Sequence, residues 1–138
     1  MKRPRDKALV WIVRPGALGP EALLLQRPPH RGGGWHPVTG KAARDEAPDR
    51  AAAREALEET GLAGPLLDLR WAHAFETSRG PMVEHCFLLR VDAGAEPRIS
   101  DEHVAHRWLS LEEAWEALEW DAHRDTLRLV RDALSKAP

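Results

Sequence analysis

Three glutamates near the middle of the chain are the residues whose type and spacing suggest chemistry. Glu55, Glu58 and Glu59 stand at positions i, i+3 and i+4, so on a helix all three share one face. Two like charges about 4 Å apart repel by roughly 1 kcal/mol in water and about 4 kcal/mol at an effective dielectric of 20. A divalent cation turns that repulsion into attraction, and carboxylate oxygens suit Mg²⁺ or Mn²⁺. The pattern indicates a metal site for phosphate chemistry, although the three glutamates alone would also fit a solvated helix face.

A longer pattern of spaced residues surrounds these glutamates. Its fixed positions within the segment 40–62 are Gly40, Glu46, Arg54, Glu55, Ala56, Glu58, Glu59, Gly61 and Leu62. This pattern resembles the signature of the Nudix hydrolase family. The resemblance implies a single domain over residues 1–138 and an α/β fold, namely an α/β/α sandwich with a mixed β-sheet. It also implies a hydrolase that cuts a nucleoside diphosphate linked to another group.

The resemblance gives the helical part of the signature its expected roles. Glu58 and Glu59 are expected to be direct Mg²⁺ ligands. Glu55 is expected to be a further ligand or the catalytic base, and Arg54 the residue that orients the carboxylates.

The same resemblance assigns roles to the loop of the signature and to its ends. Glu46 is expected to stabilise the loop, and the carbonyl of Thr39 or Gly40 to reach the metal. Gly40 and Gly61 are expected to be backbone requirements. The loop departs from the family pattern, because Thr39-Gly40 replaces a common Gly-Gly pair and Asp45 a common glycine.

Two segments outside the signature resemble one branch of the family, the dATP and dihydroneopterin triphosphate pyrophosphatases. Residues 35–40 read Trp-His-Pro-Val-Thr-Gly, and residues 102–109 begin with Glu-His and end with Trp-Leu. By this resemblance Glu102 is expected to be a catalytic base or an additional metal ligand. The branch implies a (d)NTP-like substrate that water splits into a monophosphate and pyrophosphate.

Several further residues have a possible function beside an ordinary structural role. Trp35 offers a face for stacking, which is worth about 1–3 kcal/mol per base, or it packs in the core. Lys7 and Arg27 either reach phosphates or are ordinary surface charges. His103 and His106 would face opposite sides of a strand, which does not favour a zinc site, while His103 beside Glu102 is placed to orient it.

Two other functions remain open at this stage. The chain would also suit hydrolysis of dinucleoside polyphosphates, nucleotide sugars or capped RNA ends, because the signature handles the diphosphate and not the attached group. A non-catalytic nucleotide-binding sensor on the same fold is the alternative from a different class. Degenerate signatures usually accompany that role, whereas this chain keeps all its glutamates.

The elements that must position these residues follow from the apolar pattern. Short apolar runs predict strands over residues 8–13, 22–25, 35–39, 66–75, 82–91 and 105–109. Glycine and proline predict loops at 15–20 and 28–34, and a further loop is expected at 40–47.

Three helices complete the prediction. Pro48 and Gly61 bracket a helix over residues 48–60. One side of that helix is expected to pack on the sheet through Ala53, Ala56, Leu57 and Thr60. A second helix is predicted over 111–118, with a capping box between Ser110 and Glu113, and a third over 121–134.

Composition limits the partners and the compartment. The chain has 138 residues and a net charge of −2, so no general positive field attracts DNA or a membrane surface. No apolar run is long enough to span a bilayer. The single cysteine, Cys86, is expected to be buried, and the lack of disulfides favours the cytoplasm. We therefore expect a nucleotide-like small molecule as partner, and the family resemblance adds a possible homodimer.

Overall fold

The apolar run at residues 8–13 forms the buried middle of the central strand. The computed structural model describes residues 3–136, and within them seven strands form one mixed sheet. The strands are β1 (Arg5–Gly16), β2 (Gly19–Gln26), β3 (Trp35–His36), β4 (Val38–Lys41), β5 (Leu66–Thr77), β6 (Gly80–Arg90) and β7 (Ala105–Ser110). The helices are α1 (Pro48–Thr60), α2 (Leu111–Ala117) and α3 (Asp121–Ser135).

Strand β1 organises the sheet. It runs parallel to β6 and antiparallel to both β4 and β2. Strand β2 also pairs with β3 and β7, while β5 pairs with β6 at the outer edge. This pairing brings the ends of β2 and β4 and the start of β7 to one side of the molecule.

Successive side chains of β1 point to opposite faces of the sheet, and both faces are covered. Val10 and Ile12 belong to a core shared with α1. Leu9 and Trp11 belong to a second core shared with α2 and α3. The predicted α/β/α sandwich is therefore confirmed.

Helix α1 begins and ends where the sequence predicts. Pro48 occupies the first turn, and Gly61 ends the helix with φ 72° and donates its N–H to the Leu57 carbonyl at 2.8 Å. Glycine adopts this left-handed conformation without the steric cost that a Cβ would bring.

The predicted packing face of α1 is wrong in part. Ala53 and Leu57 are exposed, and Leu57 keeps 55% of its accessible surface. The buried stripe instead runs through Ala52, Ala56 and Glu59, which stand at i, i+4 and i+7. The helix is therefore rotated so that one glutamate of the acidic face lies at the sheet.

Several strands are longer than their apolar runs. The β1–β2 pairing continues to Gly16 and Gly19, so most of the predicted loop at 15–20 is strand. The predicted strand at 35–39 is interrupted at Pro37, and Gly40 is in β4 because it pairs with Ala8. The predicted loop at 28–34 contains a short 3-10 turn, Pro29–Arg31.

Two smaller predictions are confirmed. Ser110 and Glu113 form the capping box of α2, with the two reciprocal bonds at 3.0 and 3.1 Å. Cys86 is fully buried. Within residues 3–136, no helix combines the length and the apolar character needed to cross a membrane.

We predict that His123 makes stability depend on acid pH. Burial first, and then the charges of Arg27 and Lys7, lower the pKa of His123 to about 4. An unfolded histidine binds a proton near pH 6.5, so between these values the unfolded state binds more protons. The stability contribution is fully present above about pH 6.5 and is lost as the pH falls through about 4.

The measurement is urea unfolding at pH 7.5 and pH 4.5 for the wild type and for His123→Met. Between pH 7.5 and pH 4.5 the free energy of unfolding should fall by on the order of 2–3 kcal/mol more in the wild type than in the variant. An equal loss in both proteins would contradict the prediction.

Candidate active site

Arg54 joins helix α1 to the loop that precedes it. Its guanidinium donates two bonds of 2.8 Å to Glu46, one to each carboxylate oxygen, and one of 3.1 Å to the Lys41 carbonyl. It also reaches Glu55 at 3.0 Å and Glu58 at 3.1 Å. The bonds from Arg54, followed by the N–H of Ala43, lower the pKa of Glu46 to about 2. One arginine therefore fixes the loop and holds two of the three helix glutamates.

Glu59 lies in a different environment from the other two. Its side chain is 5% exposed, against 16% for Glu55 and 57% for Glu58. Burial first, and then the neighbouring carboxyl group of Glu55 and the negative charges of Glu102 and Glu58, raise the pKa of Glu59. Among the described residues, Glu59 Oε2 has no hydrogen-bond partner. Burying a carboxylate without a counter-ion costs free energy, so Glu59 Oε2 is the chemically unusual atom among the three glutamates.

Gly40 makes room for the side chain of Glu55. A Cβ placed on Gly40 would overlap the carboxyl end of Glu55. The position therefore needs glycine because of this close approach.

The loop at 98–104 reaches the site because the last carbonyls of α1 hold it. Arg98 N–H donates to the Thr60 carbonyl at 2.8 Å, and Ser100 N–H donates to the Glu59 carbonyl at 3.2 Å. These carbonyls are among those that a helix end leaves without partners. At its other end, the N–H of Val104 donates to the Gln26 carbonyl at 3.0 Å. The loop thus spans from α1 to the end of β2 and carries Glu102 and His103 to the site.

These elements enclose a cleft of about 260 Å³ at this side of the sheet. Its walls carry two arginines together with acidic and imidazole groups. The lining residues are Arg27, Arg31, His36, Thr39, Glu59, Glu102 and His103. Positive side chains in the same cleft as one buried and one exposed carboxylate are suited to hold an anionic ligand next to a cation.

Two buried histidines stand against Glu59. His103 Nε2 is 3.0 Å from His36 Nε2 and 3.8 Å from Glu59 Oε1. His36 Nδ1 bonds to the carbonyl of Pro37. Burial, followed by the positive charge of Arg27, lowers the pKa of His36 to about 3, so this imidazole is neutral at physiological pH.

The site contains the family signature in folded form, and comparison with known proteins agrees. The model of the NUDIX domain family matches residues 3–130. The chain belongs to the Nudix family. Nudix hydrolases act on phosphoric anhydride bonds, and the family resemblance in the sequence is thereby confirmed.

Two relatives illustrate the range of proteins that contain this domain. An octanoyltransferase of Myxococcus xanthus is 41% identical over 116 residues, which are 80% of this chain and 32% of that protein. The chain therefore spans about a third of that relative's length. The asymmetrical bis(5′-nucleosyl)-tetraphosphatase of Mus musculus is 31% identical over 109 residues, 75% of this chain and 74% of that protein.

Solved structures share the fold. A C. elegans Ap4A hydrolase binary complex has a TM-score of 0.82 and 25% identity, covering 96% of this chain and 99% of that one. The E. coli dihydroneopterin triphosphate pyrophosphohydrolase has a TM-score of 0.76 and 24% identity, covering 91% and 95%. At 24% identity, the similarity to the E. coli protein supports the fold alone.

The Nudix family implies a divalent cation, and the buried end of Glu59 fits one. Among the described residues its Oε2 has no partner, and the negative charge of Glu55 acts on it, so the two carboxylates offer hard oxygen donors that a cation would neutralise. As the side chains stand, residues 3–136 contain no group of three or more His, Cys, Asp or Glu arranged around one point. Glu58 bonds Arg54 through both oxygens, so it must turn away from the arginine to join the other two.

The structure brings some of the predicted binding residues to the cleft and leaves others elsewhere. Arg27 and Thr39 line it. Lys7 does not line it and instead pairs with Glu84 at 3.7 Å. Trp35 is also absent from the walls, since it packs against the second core and bridges to Leu118.

Sequence reasoning missed two residues of the cleft, Arg31 and His36. Arg31 stands in the 3-10 turn after β2, within a glycine-rich loop, and His36 is held in β3 by pairing with Leu25. Their positions in the fold depend on pairing between strands that are distant in sequence. The signal that could have identified them was their closeness along the chain to Arg27 and to the signature. His106, which the sequence did not favour as a zinc ligand with His103, has its Nε2 3.8 Å from a carboxylate oxygen of Glu96.

We predict that Gly40→Ala impairs hydrolysis far more than it impairs folding. The new Cβ displaces the flexible end of Glu55, and a misplacement of about 1 Å can cost about 100-fold in rate. The free energy of unfolding should change by less than about 1 kcal/mol, since φ at Gly40 suits an ordinary residue.

The comparison should include Gly94→Ala, because a Cβ at Gly94 meets no atom within 4 Å. The measurements are kcat/KM for nucleotide hydrolysis and urea unfolding of both variants. Equal activity in the two variants, or an activity loss that only follows a loss of stability, would refute the role given to Gly40.

Proposed function

We propose that the chain is a Mg²⁺-dependent hydrolase that cleaves a phosphoric anhydride bond in a nucleoside polyphosphate, with a dinucleoside tetraphosphate as the favoured substrate. The observation that carries the proposal is the buried Glu59, whose Oε2 has no hydrogen-bond partner within residues 3–136, in the wall of a cleft with two arginines. A cation and a polyphosphate together complement these charges.

Glu59, Glu55 and Glu58 are the residues proposed to hold Mg²⁺, with Mn²⁺ as a substitute. When bound, the cation neutralises phosphate charge and lowers the pKa of a coordinated water. Glu55 is kept in place by Arg54 on one side and by Gly40 on the other. Glu58, which is exposed and on the helix surface, is free to change rotamer without disturbing the core.

Glu102 is the better candidate for the catalytic base. Glu55 accepts a hydrogen bond from Arg54 and is itself a proposed metal ligand, so it is less available to accept a proton from water. Glu102 lines the cleft, and its carboxylate makes no hydrogen bond or ion pair with any other part of residues 3–136. A free, solvent-accessible carboxylate beside the metal site meets the geometric need of a general base.

Arg27 and Arg31 are proposed to bind the phosphates. Arginine presents a planar fork of donors that matches phosphate oxygens. Both arginines line the same cleft as Glu59 and Glu102, so a polyphosphate bound there would have cationic groups beside it as well as the proposed cation. The net charge of −2 means that this attraction is local.

The favoured substrate class follows from the relatives. The Mus musculus tetraphosphatase is similar over about three quarters of both chains, and the C. elegans Ap4A hydrolase has the same fold over nearly all of both. A (d)NTP-like substrate is the second candidate, because residues 35–40 read Trp-His-Pro-Val-Thr-Gly, as in the dATP and dihydroneopterin triphosphate branch.

A substrate panel separates the candidates by their products. We expect diadenosine tetraphosphate to give ATP and AMP in the presence of Mg²⁺, at a higher kcat/KM than dATP, dihydroneopterin triphosphate or ADP-ribose. Product identification by ion-exchange chromatography checks this. Pyrophosphate release from dATP as the fastest reaction would shift the assignment to the second candidate, and tight binding without turnover would point to a sensor.

The glutamates can be distinguished by measuring cation binding separately from turnover. Glu59→Gln and Glu58→Gln should weaken Mn²⁺ binding and abolish most turnover, because each removes a proposed ligand. Glu102→Gln should lower kcat by about 100-fold or more, within the range for a general base, while Mn²⁺ binding stays within about twofold. Glu116→Gln, which changes an exposed carboxylate on α2, is the matched control.

Glu59→Gln carries a second expectation that is independent of activity. Removing a buried, unpaired carboxylate should leave the cation-free protein at least as stable as the wild type, while the wild type alone should gain stability when Mg²⁺ is added. Unchanged turnover in Glu58→Gln and Glu59→Gln would remove the proposed mechanism.

A further inference from the structure

We propose that His36 is a positioning residue for the metal site: it accepts the single N–H of His103 and thereby keeps that hydrogen away from Glu59. This inference rests on the proposed function, since it concerns the availability of Glu59 to a divalent cation. It assigns to a residue outside the Nudix signature a part in setting cation affinity.

The hydrogen-bond directions follow from the partners. A carbonyl oxygen can only accept, so His36 Nδ1, which bonds the Pro37 carbonyl, carries the hydrogen. A neutral imidazole with a hydrogen on Nδ1 has a bare Nε2 that accepts. The contact of 3.0 Å between His36 Nε2 and His103 Nε2 therefore requires His103 to donate.

Glu59 competes for the same hydrogen. His103 Nε2 is 3.8 Å from Glu59 Oε1, too far for a hydrogen bond, but 3.0 Å from His36. A bond to a carboxylate is stronger than one between neutral groups, so loss of the acceptor on His36 would let a small tilt of the ring transfer the hydrogen bond to Glu59. His36 and His103 are 2% and 8% exposed, so water cannot readily take the place of either partner.

The consequence concerns the lone pairs of Glu59. In the arrangement described, Oε2 has no partner and Oε1 receives no hydrogen bond from His103. Both oxygens are therefore available to a cation. A hydrogen bond from His103 would occupy a lone pair of Oε1, and a cation would have to displace it. Hydrogen bonds to charged groups are commonly worth enough to change an equilibrium by tenfold or more.

The test measures Mn²⁺ dissociation constants from the paramagnetic resonance signal of the free ion, at one pH and without substrate. His36→Leu removes the acceptor. His36→Gln is the matched control, because its amide oxygen can reach the place of Nε2 and accept. His103→Phe removes the donor, and the double variant His36→Leu/His103→Phe closes the cycle. Circular dichroism and urea unfolding of each cation-free protein check that it is folded.

We expect His36→Leu to bind Mn²⁺ roughly tenfold more weakly than the wild type, and His36→Gln to stay within about threefold. His103→Phe and the double variant should bind at least as tightly as the wild type, because no donor remains to compete. This recovery in the double variant is a result that a general loss of packing would not produce.

The contrary results are distinct. Equal affinity in wild type and His36→Leu, equal weakening in His36→Leu and His36→Gln, or a double variant as weak as His36→Leu would overturn the inference and leave the proposed function in place. If His36→Leu does not fold, His103→Phe decides, and a tenfold weaker site in that variant would refute the competition. Absence of Mn²⁺ binding by the wild type would instead remove the proposed function, and this inference with it.

Discussion

Burial of the Glu59 carboxylate is the constraint on which this site depends. Taking a charged group out of water costs several kcal/mol unless a partner compensates it, and Glu59 lies on the stripe of α1 that packs on the sheet. The rotation of α1 that buries Glu59 leaves Leu57 in solvent. The folded protein therefore has an exposed leucine and a buried carboxylate on the same helix. This arrangement favours a cation-binding site over a merely solvated acidic helix face.

The positive groups around the cluster are divided between two tasks. Arg54 bonds Glu46, Glu55 and Glu58, and so stabilises the loop and the outer glutamates without contacting Glu59. Arg27 and Arg31 line the cleft and are proposed to bind phosphate. Because a guanidinium beside Glu59 would neutralise it permanently, its absence there among the described residues leaves the buried carboxylate for an exchangeable cation.

Local signals in the sequence predicted the helix well and its rotation poorly. Pro48 and Gly61 fix the ends of α1 through backbone geometry, which the sequence encodes directly. Which face of α1 packs depends on the sheet beneath it. Because alanines lie on either side of the helix, their positions do not predict which face is buried. Tertiary contacts determine that Glu59 is buried while Glu58 is exposed. They also determine the position of Lys7, which pairs with Glu84 on the neighbouring strand β6.

The residues that sequence reasoning missed share a structural cause. Arg31 and His36 lie in the segment between β2 and β4, whose position is set by pairing of β2 with β3 and by the loop at 98–104. The same pairing places His36 against His103. The signature thus supplies the carboxylates from one helix, while the neighbours that determine how they are used come from segments distant in sequence. Since the signature handles the phosphoric anhydride bond on which Nudix hydrolases act, features that distinguish one hydrolase from another must arise largely from such neighbours. In this protein the segment from Arg27 to His36 supplies three of the seven residues that line the cleft, so the residues that determine substrate preference should be sought in this segment before helix α1.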